Sequence, residues 1–164
     1  MILTPHAIVG AAVASALSGH PVVGFALAIA SHHVLDMIPH SHYEHHHFDL
    51  RVVDSLPALS HNIRAVYQLF LILFDFSIGT LLAILVFARD WHTLFITLLG
   101  VAGGVLPDFF QFIYFSYKKE PVHSLVRFHS KFETKNNLDH RPFLGAFIQT
   151  VTTICIVLIF LSIK

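Results

Sequence analysis

Charge is what this chain has least of. Only 12% of its 164 residues are Asp, Glu, Lys or Arg, against about a quarter in ordinary soluble domains. That deficit argues against a conventional water-soluble domain. Ten basic residues balance ten acidic ones, so the general footprint of a nucleic-acid binder is missing. Cysteine is nearly absent. Cys155 stands alone in an apolar run, which excludes a disulfide framework within one chain and leaves it a small packing residue. The N-terminal M-I-L-T-P-H also lacks a basic stretch, and the apolar run that follows carries a histidine, so a cleavable signal peptide is not expected.

What the chain has instead is apolar length. Hydrophobic residues make up 55%, 16 of them Phe, and the mean hydropathy is +0.69. They cluster in long runs, which points to a bilayer. With Thr4 as its cap and Pro5 at its first position, a first, short Ala/Gly-rich helix runs to Leu17, suited to close helix–helix contact. Pro21 opens a second, reaching about Ile38. A His-rich loop over 39–62 follows, broken by Pro57. A third run extends from Ile63 to Ala88 and turns tightly at Arg89-Asp90. The fourth covers Trp91 to Tyr117, its pattern interrupted at Gly103-Gly104-Val105-Leu106-Pro107-Asp108. A basic loop over 118–141 precedes the last run, Pro142 to Ile163. The expectation is an all-α, polytopic membrane protein with about five membrane-inserted helices in a single domain, residues 1–164.

With the N-terminus in the cytoplasm, Arg51, Arg64, Lys118, Lys119, Arg127, Lys131, Lys135 and Arg141 all fall inside. Arg89 and Lys164 are left outside. That asymmetry follows the positive-inside rule and places His6, Asp36, His40 and Asp108 at the cytoplasmic helix ends.

The stretch Ala30–Asp49 holds half of the 14 histidines. On a helix, His32 and Asp36 stand at i and i+4, and His33 and Asp36 at i and i+3. An imidazole and a carboxylate one turn apart can grip one metal ion, and His40, past Pro39, is placed to turn back toward them. An ionised Asp facing lipid costs about 2.5–3.5 kcal/mol. Asp75 and Asp108 are therefore expected to face inward and to be paired or metal-bound. The bland alternatives are Arg64 or a packing hydrogen bond for Asp75, and a helix cap for Asp108. A short internal similarity, His6-x-x-x-Gly10 against Asp75-x-x-x-Gly79, suggests two helical hairpins plus a C-terminal helix. Mixed His and Asp ligands suit Zn, with Mn or Fe as alternatives, and the carboxylate share permits one or two ions. His129 either completes the metal shell or donates a proton, and Arg127 and Lys131 attract an anionic head group. His45–His47 reads equally well as a solvated patch or a metal-loading loop.

The strings T-P-H-A-I-V-G, H-H-V-L-D-M-I-P-H and G-G-V-L-P-D resemble the membrane-bound metal-dependent hydrolase family of prokaryotes. Those small inner-membrane proteins are themselves similar in motif to zinc-dependent phospholipase C. The resemblance implies His6, His32, Asp36, Asp108 and His129 as metal ligands. The expected function is hydrolysis of a phosphoester, a phospholipid or lipid-linked phosphate, at the cytoplasmic face. In that reading an uncoordinated Asp75, His40 or His129 serves proton transfer, and Arg64, Arg127 and Lys131 hold the substrate. The rivals are a membrane metal carrier or sensor loaded through the His-rich loop, and a purely structural membrane protein.

Overall fold

The computed structural model describes residues 2–41, 63–116, 119–134 and 138–162, with the backbone alone at 64, 65, 68, 115 and 116. The described residues form six helices and no strand. These are α1 (Leu3–Ala16), α2 (Pro21–Asp36), α3 (Ile63–Phe87), α4 (Trp91–Ser116), α5 (Val122–His129) and α6 (Pro142–Ser162). Three are long and apolar enough to cross a membrane, through Leu69–Phe87, Trp91–Tyr114 and Pro142–Ser162. α1 and α2, of 14 and 16 residues, fall short of the about 20 residues that a span takes. The His-rich loop, with His45–His47 and Arg51, lies outside the described residues.

α1 is the centre of the bundle, touching α2, α3, α4 and α6. Its small side chains make this possible: Ala7, Ala11, Ala12 and Ala14 are at most 1% exposed. Contact is tightest against α4. A methyl group at Gly10 would collide with the Gly100 carbonyl, and one at Gly104 would collide with the His6 carbonyl. Backbone-to-backbone approach of this kind admits only glycine, and is how helices associate where lipid removes the hydrophobic drive. Meanwhile α3 and α6 turn large apolar side chains outward, among them Phe70, Leu85, Phe147 and Leu158. So continuous an apolar exterior fits lipid and not water.

Two local expectations change. Thr4 does not cap its own helix. The Leu3 and Thr4 amides instead donate to the Asp75 carboxylate of α3, and the Thr4 hydroxyl donates to Asp75 Oδ1 at 2.7 Å. A carboxylate from a neighbouring helix therefore satisfies the free amides at the α1 N-terminus and complements its dipole. Asp75→Ala is expected to cost about 1–2 kcal/mol, read as a lower thermal midpoint in detergent, with Asp75→Asn recovering most of the loss. A midpoint unchanged in Asp75→Ala would remove the cap from the account.

The second change is at Pro107, which does not interrupt α4. A proline inside a helix crowds the carbonyl four residues back and leaves it without its amide partner. That residue is Gly103, where a side chain would in any case meet Phe25 and Ala28 of α2. The helix thus continues about 12 Å beyond Asp108 at 1.5 Å per residue, and Asp108 lies about 25 Å along it from Trp91. At the opposite end the α3–α4 turn is capped by Asp90. Its Oδ1 accepts from the Thr93 amide at 2.8 Å, which holds the exposed carboxyl below its ordinary range.

Candidate metal centre

Four helices deliver side chains to one point at the Asp108 level. α1 brings His6 from its first turns, buried because α1 is central. α2 brings His32 and Asp36, one turn apart on its inner face. α4 contributes Asp108, the residue after Pro107, and α5 ends on His129. His6, His32, Asp36 and His129 are all buried, and Asp108 is 17% exposed through its side chain.

His32 is the fixed point of the cluster. Its Nδ1 lies 2.7 Å from the Gly104 carbonyl oxygen. A carbonyl can only accept, so Nδ1 carries the proton and donates it. In the neutral ring Nε2 is then a bare lone pair, and it faces Asp36 Oδ2 at 3.0 Å and Asp108 Oδ1 at 3.7 Å. Around it, His6 Nε2 stands 3.6 Å from Asp36 Oδ1. His129 places Nδ1 3.6 Å from Asp36 Oδ2 and Nε2 3.8 Å from Asp108 Oδ1.

Imidazole nitrogens and carboxylate oxygens therefore converge on one point. Both Asp36 oxygens, Asp108 Oδ2, His32 Nε2, His33 Nδ1 and His129 Nδ1 are buried and make no hydrogen bond within the protein. Among the described residues, no lysine or arginine pairs with either carboxylate. Leaving a buried polar group unsatisfied costs about 1–3 kcal/mol, and more for a charge. A cation placed between the groups would satisfy several of them at once. The donor spacing fits one: ligands about 2.0–2.2 Å from a tetrahedral ion stand about 3.3–3.6 Å apart, and the contacts here run from 3.0 to 3.8 Å. Two overlapping sets lie within ligating reach, His32/His33/Asp36/His129 and His6/His32/Asp108. A ligating imidazole normally gives its other N–H to a carbonyl or carboxylate, and His32 does this through Gly104.

Of the residues singled out in the sequence, His6, His32, His33, Asp36, Asp108 and His129 come together. Asp75 does not join them, its carboxylate being engaged at the α1 N-terminus. His40 is buried, with Nδ1 donating to the Ile38 carbonyl at 2.7 Å, but belongs to neither ligating set. Arg127 and Lys131 are exposed on either side of His129, and the Arg64 side chain lies outside the described residues. His123 is engaged elsewhere, 3.3 Å from Glu120 and stacked on Tyr114.

Three features went unseen in the sequence. The Gly104 carbonyl orients His32. Phe128 and Phe132 flank His33, with ring centroids at 5.6 and 4.8 Å. The basic segment contains a helix, α5, that closes over the cluster. For the first a signal existed, since Gly104 precedes Asp108 by one helical turn and so shares its face. The chain matches no protein-family model, no curated protein and no solved structure.

Proposed function

We propose that this chain is a membrane-embedded, metal-dependent hydrolase of phosphoesters, acting on a phospholipid or lipid-linked phosphate at the cytoplasmic face of the inner membrane. In this reading α1 and α2 are inserted beside the three longer helices, and the N-terminus is cytoplasmic. The observation that carries the proposal is the buried constellation of Asp36, Asp108 and the lone pair of His32, which has no satisfying partner within the protein. The resemblance of the three sequence strings to metal-dependent membrane hydrolases supplies the reaction class.

His6, His32 and Asp108, and in the overlapping set His32, His33, Asp36 and His129, would hold a Zn-class ion. Such an ion supplies Lewis acidity toward a water and a phosphoryl oxygen. The rest falls to the protein. Gly104 keeps the His32 lone pair turned inward. His40 gives its Nδ1 proton to the Ile38 carbonyl, so Nε2 is the side of that ring that accepts a proton. Arg127 and Lys131, exposed beside His129, draw a phosphate toward the cluster. The ligand-type residues gather at one end of the bundle, which favours a one-sided site over a path for ion transport.

The test is elemental analysis of protein purified in detergent without a His-tag, paired with hydrolysis assays on phospholipids and a soluble phosphomonoester. Wild type is expected to hold about one or two equivalents of metal. Asp108→Ala should lose most of it and at least about tenfold in hydrolysis. Metal retained in Asp108→Ala but lost on deleting His45–His47 would favour the carrier instead. No metal under any loading condition would end the hydrolase proposal.

A further inference from the structure

α5 is a helix of eight residues, too short to persist in water by itself. Something outside it must therefore hold it. Its inward face is Val122, Val126 and His129, spaced i, i+4 and i+7, and of these only His129 is fully buried. Leu125 and Phe128 are 42% and 52% exposed. Apolar burial thus does little to anchor this helix. Its N-terminal end rests on α4, where His123 stacks on Tyr114. Its C-terminal half is tied differently, through contacts that reach the candidate metal centre and the residues next to it. His129 inserts between Asp36 and Asp108. Phe128 and Phe132 pack on His33. Beyond the helix, the Thr134 amide donates to the Asp36 carbonyl at 3.0 Å, and the Leu138 amide donates to the His40 carbonyl at 2.8 Å.

With a neutral ring, the His129 contact is a weak fastening. Its nitrogens stand 3.6 and 3.8 Å from the carboxylate oxygens, beyond hydrogen-bond length, and Nδ1 makes no hydrogen bond. A neutral ring turns at least one lone pair toward a carboxylate, which repels it. With a divalent ion among these groups, the same lone pair becomes a ligand and the contact a fastening.

We infer that a divalent ion at the cluster is what docks the C-terminal half of α5 and the following turn, residues 126–134, so that binding the ion and covering the site are one event. The inference rests on the metal-centre reading given above but not on the hydrolytic one. Without the ion the cover is undocked and the cluster is open to incoming metal. With it, Arg127 and Lys131 are brought to fixed positions beside the site.

Hydrogen exchange on the full chain tests this, in phosphatidylcholine nanodiscs with and without phosphatidylglycerol. Each sample is either loaded with Zn²⁺ or treated with chelator, and elemental analysis is run in parallel. Amides of 126–134 are expected to exchange about tenfold or more slowly with Zn²⁺, while those of α1 and α4 are unchanged. At a Zn²⁺ concentration where elemental analysis shows the ion bound to His129→Ala, this variant should still exchange over 126–134 at the chelated rate. Equal exchange with and without Zn²⁺, in protein shown to hold the ion, would overturn the inference and leave the metal centre standing. Protection that follows phosphatidylglycerol instead of Zn²⁺ would overturn it in favour of docking by the bilayer. Wild type that holds no Zn²⁺ would overturn the metal centre and this inference together.

Discussion

Gly104→Ala is expected to lower stability by about 3 kcal/mol, the upper range for inserting a methyl into a packed core, and to weaken metal binding about 10–100-fold. The two losses share one cause. An added Cβ at Gly104 would collide with the His6 carbonyl oxygen, with the His6 carbonyl carbon at 3.0 Å and with the Gly10 Cα at 3.3 Å. All three are backbone atoms of α1 and cannot swing aside as the tip of a side chain can, so α1 must move away from α4. His6 is then carried off from Asp36. The Gly104 carbonyl, which holds His32 Nδ1 at 2.7 Å, shifts with α4 in the opposite sense. Gly19→Ala is the matched control: a Cβ there meets nothing within 4 Å, and the change should stay within about 0.5 kcal/mol of wild type. Thermal unfolding in detergent and a zinc titration read both quantities. Gly104→Ala with the wild-type midpoint and affinity would mean that α1 and α4 do not meet as closely as described.

The centre was legible in the sequence where cost dictated position. A carboxylate in an apolar helix must face inward, which picked out Asp108. The i, i+4 spacing placed His32 and Asp36 on one face before any fold was known. His6 was reached through its likeness to the Asp75 stretch, and there the two residues part. His6 enters the cluster while Asp75 caps α1. An inward-facing carboxylate can be satisfied by a metal or by free amides, and which of these it meets depends on where another helix begins. Periodicity carries no such information. The same limit hid α5. Read along the chain, V-H-S-L-V-R-F-H is short and mixed, and only its position over Asp36 and Asp108 gives it a role. For α1 and α2 the sequence carries two signals that differ, an apolar composition that suits the bilayer and lengths of 14 and 16 residues that are short for a full span.

Asp36→Asn should reverse the order of stability according to whether metal is present. With chelator, the wild-type Asp36 carboxylate is 1% exposed, has neither oxygen hydrogen-bonded and lies across His32 from a second carboxylate. The amide removes that buried charge at constant shape. Its N–H₂ can also donate to the His32 Nε2 lone pair, where Asp36 Oδ2 now stands at 3.0 Å. An unsatisfied buried polar group costs about 1–3 kcal/mol, and more when charged, so the chelated variant is expected to melt above chelated wild type. With zinc the sign changes. A neutral amide is a poor ligand, and since lost outer partners alone cost about 10–100-fold in affinity, losing Asp36 itself should cost at least about 100-fold. At a metal concentration about 100 times the wild-type dissociation constant, binding adds about 2.7 kcal/mol to wild type and little to the variant. The two melting curves should therefore cross on adding zinc, and hydrolysis should be lost in the variant. The outcome that would sink this is Asp36→Asn melting below wild type with chelator as well as with zinc. A proton shared with His32 or His6 would then be neutralising Asp36, and the cluster would be a buried ion-pair network holding α1, α2 and α4 together with no need of a metal.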